Sequence, residues 1–481
     1  MKYKFIKLFK VFGAILAIYV LYLILGATIP FIHFPEVNDD FKNSFSTDKF
    51  YNDTIGVDRA AIIEDSDDAL DVRLHMLNEA KESIIISSFS VKNDRSCKEI
   101  FSTILNAANR GVKVQIILDG ITSAHDMKND TMYYVLGTHP NVEIRFYNTI
   151  NLLKPWNLND RLHDKYIIID DKLLLLGGRN ISNYFLGEYN TKVLSYDRDI
   201  LVYNTTWNSK DTSSSVISEV KDYFNTIWNS DYNKTVFNTV PRYKKKDMNR
   251  AEIELEDYYH SLITERPELF QSLDYALITV PTNKISLISN PINLTSKEPY
   301  VYYQLTQLMM QAKEKVILQT PYAVLNDTMY SDLQQISNSV PNVTMFLNST
   351  AGGDNFMASA DYTWNKDKVI ATGVTLYEFQ GDHSMHNKSL LIDDNISVIG
   401  SYNLDMRSTY LDTEVMLVVN GTEFNQLLSE KMSDMLDKSL PVMSDGSYGT
   451  NGDVVALEPT TWQKISLGIC SAVFQLFRFL L

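Results

Sequence analysis

The stretch from His386 to Glu414, HNKSLLIDDNISVIGSYNLDMRSTYLDTE, decides how the rest of the chain is read. It opens on His386, Lys388 and Asp393, the pattern H-x-K-x4-D, and an apolar run to Ile399 follows. Gly400, Ser401 and Asn403 come next, and the stretch closes on Glu414. A second copy stands upstream in HDKYIIIDDKLLLLGGRN, with His163, Lys165, Asp170, Gly177, Gly178 and Asn180. In both copies the Asn stands 17 positions after the His (163 to 180, 386 to 403). One short motif is only a hypothesis. Two copies that share the same downstream Gly and Asn, in a chain with eight His, point to a duplicated site.

The surroundings of the two copies repeat as well. Before the first lie a helical pattern, DALDVRLHMLNEAKE, and a β-branched strand, SIIISSFSV. An amphipathic helix, CKEIFSTILNAANRG, and two further strands, VKVQIILDG and VEIRFYN, come next. YIIIDDKLLLLGG then reads as a hairpin turned at Asp170, Asp171 and Lys172. Before the second copy come the helix YYQLTQLMMQAKE and the strands KVILQTPYAV, VTMFLNST and VTLYEFQ. Strands alternating with helices predict an α/β fold, with largely parallel strands and helices on both faces; the motif hairpins make each sheet mixed. Two units are a tandem duplication rather than a solenoid. The expected boundaries are one lobe over 61–240, a connector over 241–300 and a second lobe over 301–440. The connector carries a basic cluster, Arg242 to Lys246, and an acidic helix, and reads as a solvated linker.

The motif residues suit attack on a phosphodiester. Such a reaction needs a nucleophile at phosphorus, an acid for the leaving alcohol and charge relief for the equatorial oxygens. Two imidazoles supply the first two, because an unperturbed pKa near about 6.5 lets one be neutral while the other is protonated. Lys165 and Lys388 are candidates to hold the phosphate oxygens, and Asn180 and Asn403 to donate hydrogen bonds to them. Neither a metal nor a cofactor is called for. There is no H-E-x-x-H, and His383 and His386 lack carboxylate or thiol neighbours at ligand spacing.

The chain ends suggest a membrane. Residues 1–10 carry Lys2, Lys4, Lys7 and Lys10, and residues 11–29 hold no charge. Nineteen residues at about 1.5 Å each nearly cross a hydrocarbon core about 30 Å thick. A cleaved signal would have a shorter apolar run and a better cleavage site than LGATIP. The expected arrangement is therefore a single-pass anchor over 1–29 in the cell membrane, followed by a spacer over 30–60. The flanking lysines place the N-terminus in the cytoplasm and the lobes outside. Within the segment 441–481, the stretch from Trp462 has Lys464, Ser471, Gln475 and Arg478 on one helical stripe among apolar residues. That pattern fits a helix lying in the membrane interface. A net charge of −15 speaks against nucleic acid as a partner. Cys97 and Cys470 form no disulfide framework.

The doubled motif resembles the phospholipase D superfamily. It is most similar to bacterial cardiolipin synthases of the type that uses phosphatidylethanolamine, through GGRNIS after the first motif and GSYNLDMRS after the second. The resemblance implies two pseudo-symmetric phospholipase D-like lobes with one active site between them. It implies a membrane-bound phosphatidyltransferase acting on phosphatidylglycerol and phosphatidylethanolamine. His163 would form a covalent phosphohistidine, and His386 would protonate the leaving alcohol and activate the incoming one. Glu414 matches the position that orients the second motif's His, with Asp199 in SYDRDILV as its expected counterpart in the first half. Asp170 and Asp393 complete the site set as residues that pin the hairpins. A hydrolase releasing phosphatidic acid and a membrane-tethered nuclease share the motifs. The acidic charge and apolar tail count against the nuclease, and two intact motifs count against a lipid binder with a dead site.

Overall fold

In the computed structural model, which describes residues 2–127, 130–189, 192–209 and 211–481, two sheets are built on one plan. The side chains of residues 1–4, including Lys2 and Lys4, lie outside the described set. The first sheet runs, in spatial order, Val280–Pro281, Asp58–Ile63, Asp199–Asn204, Leu173–Gly177, Tyr166–Ile169, Ser83–Ser88, Lys113–Asp119, Val142–Tyr147 and Asn233–Val236. The second runs Lys284–Ser289, Val415–Asn420, Ile396–Gly400, Ser389–Ile392, Lys315–Gln319, Asn342–Asn348, Thr375–Phe379 and Ser439–Pro441. Without the edge strand Val280–Pro281, the two orders match strand for strand.

Parallel pairing within these sheets is confined to three strands per lobe, fewer than the expected largely parallel sheet. Those strands are joined by helical crossovers, which return the chain in the same direction. The motif strands are joined by three-residue loops and must run antiparallel. In the first loop Asp170 and Asp171 both have positive φ, as does Asp393 in the second. Asp170 accepts hydrogen bonds from the amides of Lys81, Glu82 and Ser83, and Asp393 from those of Lys313, Glu314 and Lys315. Each motif Asp thus ties its hairpin to the start of the neighbouring strand, which caps three backbone donors with one carboxylate.

The motif hairpins are buried on both faces, so their strands read as continuous apolar runs rather than alternating ones. Ile84 and Ile86 face an outer core under the helices Ser66–Glu79 and Arg95–Asn109. Ile85, Ile168 and Leu174 face inward, against Leu391, Ile399 and Leu417 of the second sheet. The helices Val216–Trp228 and Thr422–Leu436 complete this central core. Burying each such aliphatic side chain contributes about 1.5–3 kcal/mol. The two sheets therefore pack back to back, with the motif strands near the middle of each.

Two expected linkers belong to the lobes. Within 241–300, the helix Lys245–Glu265 sends Ala251, Leu255 and Leu262 into the first lobe's core, and Leu269 and Tyr275 follow. Val280–Pro281 joins the first sheet and Lys284–Ser289 the second, so the boundary falls between Pro281 and Lys284. The spacing 251, 255, 262 is an apolar stripe on one helix face, masked in the sequence by its many charges. Most of the polar stretch 30–60 is a strap across the second lobe, and from Asp58 the chain is already a strand of the first sheet. Phe31 and Phe50 are buried in that lobe's core, Phe41 stacks on Tyr300 at 3.9 Å and Phe34 on Tyr410 at 4.2 Å.

The ends also take defined places. Lys2–Thr28 is one helix, long and apolar enough to cross a membrane. The tail helix Thr461–Phe474 docks on the helix Phe356–Ala371. Ser471 is buried, and Gln475 Nε2 and Arg478 Nε donate to Asp361 Oδ1 at 2.9 and 3.0 Å. Trp462, Ile465, Ile469, Val473 and Leu476 stay exposed. Leu467 is buried beside Ser471 and Lys464 stays exposed, but most of the helix's large apolar side chains turn outward, the reverse of a helix packed on a water-soluble core.

Candidate active site

The two His are brought together by strand-like pairings between the halves. Ser384–Met385 pairs with Ser195–Tyr196, and Leu162 bridges to Thr413. The His386 amide donates to the Tyr196 carbonyl at 2.7 Å, and the His163 amide to Thr413 Oγ1 at 3.0 Å. The main chain of each motif His is thus held by a residue of the opposite half.

Their side-chain partners cross over too. His163 Nδ1 lies 2.8 Å from Glu414 Oε1, and His386 Nδ1 lies 2.7 Å from Asp197 Oδ2. Both carboxylates are buried. Two expectations change here. Glu414 serves the first motif's His, not the second's. The first-half carboxylate is Asp197, not Asp199, which lies between Arg73 (2.9 Å) and Arg179 (3.2 Å).

Ladder register shows why Asp199 misled. Leu176 faces Ile200 in the first sheet, and Ile399 faces Leu417 in the second. Counting back three residues from each gives Asp197 and Glu414 as equivalents. Arg198 and Asp199 occupy the places of Val415 and Met416, so the apolar run starts two residues later in the first half. The asymmetry at Gly178 has its cause in the same place: a Cβ on Gly178 would run into the Asp197 carboxylate. In the second half Ser401 Oγ donates to Glu414 Oε2. In the first, the backbone amide of Arg198 donates to Asp197 Oδ1 at 2.8 Å instead.

A carboxylate on each Nδ1 sets the tautomer, with the proton on Nδ1 and the lone pair on Nε2. Burial pushes the proton affinity of His163 well below the usual imidazole range, and Lys165 adds to this. His386 is lowered by burial and by Lys388, while Asp197 pulls it back up. Burial alone would raise the Asp197 carboxyl, but His386 and Lys388 outweigh it and hold it at about 2. Glu414 is pushed up to about 7 by burial, with Lys165 and Ser401 opposing. The two pairs are therefore electrostatically unlike: Asp197 is held as an anion beside His386, whereas Glu414 is pushed up beside a His163 that lies well below the usual imidazole range.

Lys165 and Lys388 are both lowered to about 8 by burial, with Glu414 the largest opposing charge on Lys165 and Asp197 on Lys388. Each donates to the carbonyl of its own motif His, which leaves N–H groups for a ligand. Phe89 meets His163 edge-on at 5.2 Å, and Phe185 lies 5.2 Å from His386. Asn180 Oδ1 accepts from the Ser90 amide at 3.2 Å. Asn403 Nδ2 stands 3.4 Å from Ser408 Oγ, and its Oδ1 is buried without a partner among the described residues.

Sequence reasoning missed the clamp behind the site. The buried Arg198 donates to both oxygens of Glu64 (2.6 and 2.8 Å) and across the lobes to Gln319 Oε1 (2.7 Å) and Ser389 Oγ (2.9 Å). No short-range pattern marks it, because its partners are more than 120 residues away in sequence.

Comparison with known proteins gives the same grouping. The family model described as "Cardiolipin synthase, PLD-like domain" matches residues 74–228 and 305–436. Cardiolipin synthase C of Escherichia coli strain K12 is 26% identical over 411 residues, covering 77% of this chain and 83% of that protein. Cardiolipin synthase 1 of Staphylococcus aureus strain MRSA252 is 25% identical over 357 residues, 73% of this chain and 62% of that one. The crystal structure of phosphatidylserine synthase from Haemophilus influenzae Rd KW20 superposes with a TM-score of 0.62 at 18% identity, over 88% of this chain and 95% of that chain. That likeness concerns the fold. With the family model covering more than half of the chain on both sides of a two-histidine centre, this protein belongs to the cardiolipin synthase family of phospholipase D-like enzymes.

Proposed function

We propose that the protein transfers a phosphatidyl group between lipids through a covalent phosphohistidine. The observation that carries this is the crossed pairing, His163 with Glu414 and His386 with Asp197, which makes one centre from two motifs. His163 Nε2 attacks phosphorus, and the bond from phosphorus to the leaving alcohol oxygen breaks. His386 gives that oxygen its Nε2 proton. In the second step His386 Nε2 takes the proton of an incoming hydroxyl, that oxygen attacks phosphorus, and the bond from phosphorus to His163 breaks. An anionic phosphodiester between Lys165 and Lys388 offsets their charge and raises the proton affinity of His386, readying it as the acid. Asn180 and Asn403 complete the phosphate contacts. Turned end for end, the Asn403 carboxamide presents its NH2 where the orphaned oxygen stands.

The donor is phosphatidylglycerol or phosphatidylethanolamine and the acceptor the free glycerol hydroxyl of phosphatidylglycerol. Glycerol or ethanolamine leaves. Both sequence relatives described above are named cardiolipin synthases. The anchor helix and the outward apolar face of the tail keep the site among lipid alcohols, which favours transfer over hydrolysis. Purified protein in vesicles of the two lipids is expected to form cardiolipin, and acid-quenched protein to carry its phosphoryl adduct on His163. Phosphatidic acid as the only product would make the protein a hydrolase. Cleavage of single-stranded nucleic acid without a lipid product would make it a nuclease.

A further inference from the structure

The loop between the strand Val142–Tyr147 and the turn Pro155–Leu158 carries Ile150, Leu152 and Leu153, exposed at 59%, 49% and 75%. Three exposed aliphatic residues within four positions are unusual for a loop in water. The loop runs beside the anchor helix and is fixed to it at several heights. Tyr19 Oη donates to the Leu152 carbonyl at 3.1 Å, and Tyr22 Oη to the Leu153 carbonyl at 2.7 Å. Gly26 leaves room for Pro155, where a Cβ would collide. Asn159 Nδ2 donates to the Ala27 carbonyl at 2.7 Å.

These contacts set a depth. The uncharged run 11–29 is just long enough to cross the hydrocarbon core, so residue 29 lies near its lobe-side edge. Tyr22 is then about 10 Å inside that edge and Tyr19 about 15 Å, at about 1.5 Å per residue. Helix tilt of up to about 40° shortens this by no more than about a quarter. The loop cannot reach Tyr19 and Tyr22 without entering the leaflet.

Its backbone is equipped for that. Irregular chain at membrane depth is tolerated only where its polar groups are satisfied by protein. The Leu152 and Leu153 carbonyls take the tyrosine hydroxyls, the Leu153 amide donates to Asn151 Oδ1 at 3.0 Å, and the Lys154 amide to the Asn151 carbonyl at 3.0 Å. The long stem of Lys154 lets its ammonium reach up to the headgroups. We propose that Ile150–Leu153 is a membrane-inserted wedge, dipping into the acyl region beside the anchor on the lobe side. This rests on the reading of Lys2–Thr28 as a spanning anchor. The wedge continues through Asp160 and Arg161 to His163, so it fixes the height of the nucleophile against the lipid phosphates. The chain between the wedge and His163 is tied to the tail by Arg407, which donates to the Asn159 and Leu480 carbonyls.

The test is nitroxide depth measurement on the full chain in phosphatidylglycerol–phosphatidylethanolamine vesicles. Cys470→Ser supplies the background, since Cys97 is buried. Labels go at Leu153→Cys, at Ile15→Cys in the anchor and at Ile55→Cys, which is 70% exposed in the strap. At Leu153 the ratio of oxygen to nickel-chelate accessibility should match that at Ile15 and exceed that at Ile55 several-fold. An aqueous ratio at Leu153 with a lipid ratio at Ile15 overturns the wedge and spares the anchor. Aqueous ratios at both overturn the anchor and the wedge with it. Shielding of Leu153 from both reagents means that protein, such as a second copy, covers the loop, and overturns the wedge. No lipid turnover is measured, so these outcomes are independent of the catalytic proposal.

Discussion

Asp197→Asn tests the crossed pairing most directly. The change keeps the shape of the side chain and removes its charge. Asp197 Oδ1 accepts from the Arg198 amide at 2.8 Å, and Asn keeps that bond only with its carbonyl oxygen there. Its NH2 then faces His386 Nδ1, where the carboxylate oxygen stood at 2.7 Å. A donor facing Nδ1 forces the proton to Nε2 and removes the charge that supports the imidazolium. Loss of the charge-assisted hydrogen bond alone is worth about 1.5–3 kcal/mol, or roughly 10- to 150-fold in rate. The wrong tautomer brings the loss toward about 10⁴-fold, as for the equivalent carboxylate of a Ser-His-Asp triad. Cardiolipin formation should therefore fall by about 10³- to 10⁴-fold with the thermal midpoint little changed. Asp199→Asn should do the opposite. It leaves Arg73 and Arg179 without their buried anion, costs about 3–5 kcal/mol of stability and spares turnover per folded molecule. Vesicle kinetics together with thermal unfolding of both variants decide the matter. A near-normal rate for Asp197→Asn, with a stable but inactive Asp199→Asn, would falsify the assignment.

Gly178→Ser pushes the Asp197 carboxylate off His386 and should match Asp197→Asn in rate, whereas Ser401→Gly removes one hydrogen bond to Glu414 and should cost only about 10- to 100-fold; steady-state assays compare them, and equal losses would refute the steric account. Lys165 and Lys388, both at about 8, are charged below that pH and neutral above it, so kcat/KM should fall as pH rises through about 8. In Lys388→Arg the residual activity should lose that limb in part, and an unchanged limb would assign it elsewhere. Asp170→Ala and Asp393→Ala each strand three backbone donors and should lower stability by about 1–3 kcal/mol, seen as a drop of several degrees in Tm with turnover per folded molecule retained. Asp170→Asn should lose less, because Asn tolerates the positive φ found there. Loss of activity at an unchanged Tm would show that these residues join the chemistry.

The doubled H-x-K-x4-D, with its Gly and Asn, already placed four charged groups and two amides in the sequence. Motif spacing is a property of a hairpin, and a hairpin is local: the turn residues, the apolar runs and the motif Asp lie within a few residues of one another. The long apolar N-terminal helix was legible for a similar reason, since length and lack of charge are counted along the chain. What the sequence by itself determined was thus the two motif hairpins, with their His, Lys, Asp and Asn, and the twofold plan.

Pairing between the halves was decided by the tertiary structure. Asp197 and Asp199 are two residues apart on one edge and chemically alike; only the ladder register, and the presence of Arg73 and Arg179 beside Asp199, separates them. The crossing of Glu414 to His163 follows from Leu162 meeting Thr413, a contact between residues about 250 positions apart, which no periodicity carries. The strap, the lobe boundary and the outward turn of the tail helix depend in the same way on partners distant in sequence. An apolar stripe tells that a helix has two faces, and only the surface it meets tells which face turns in.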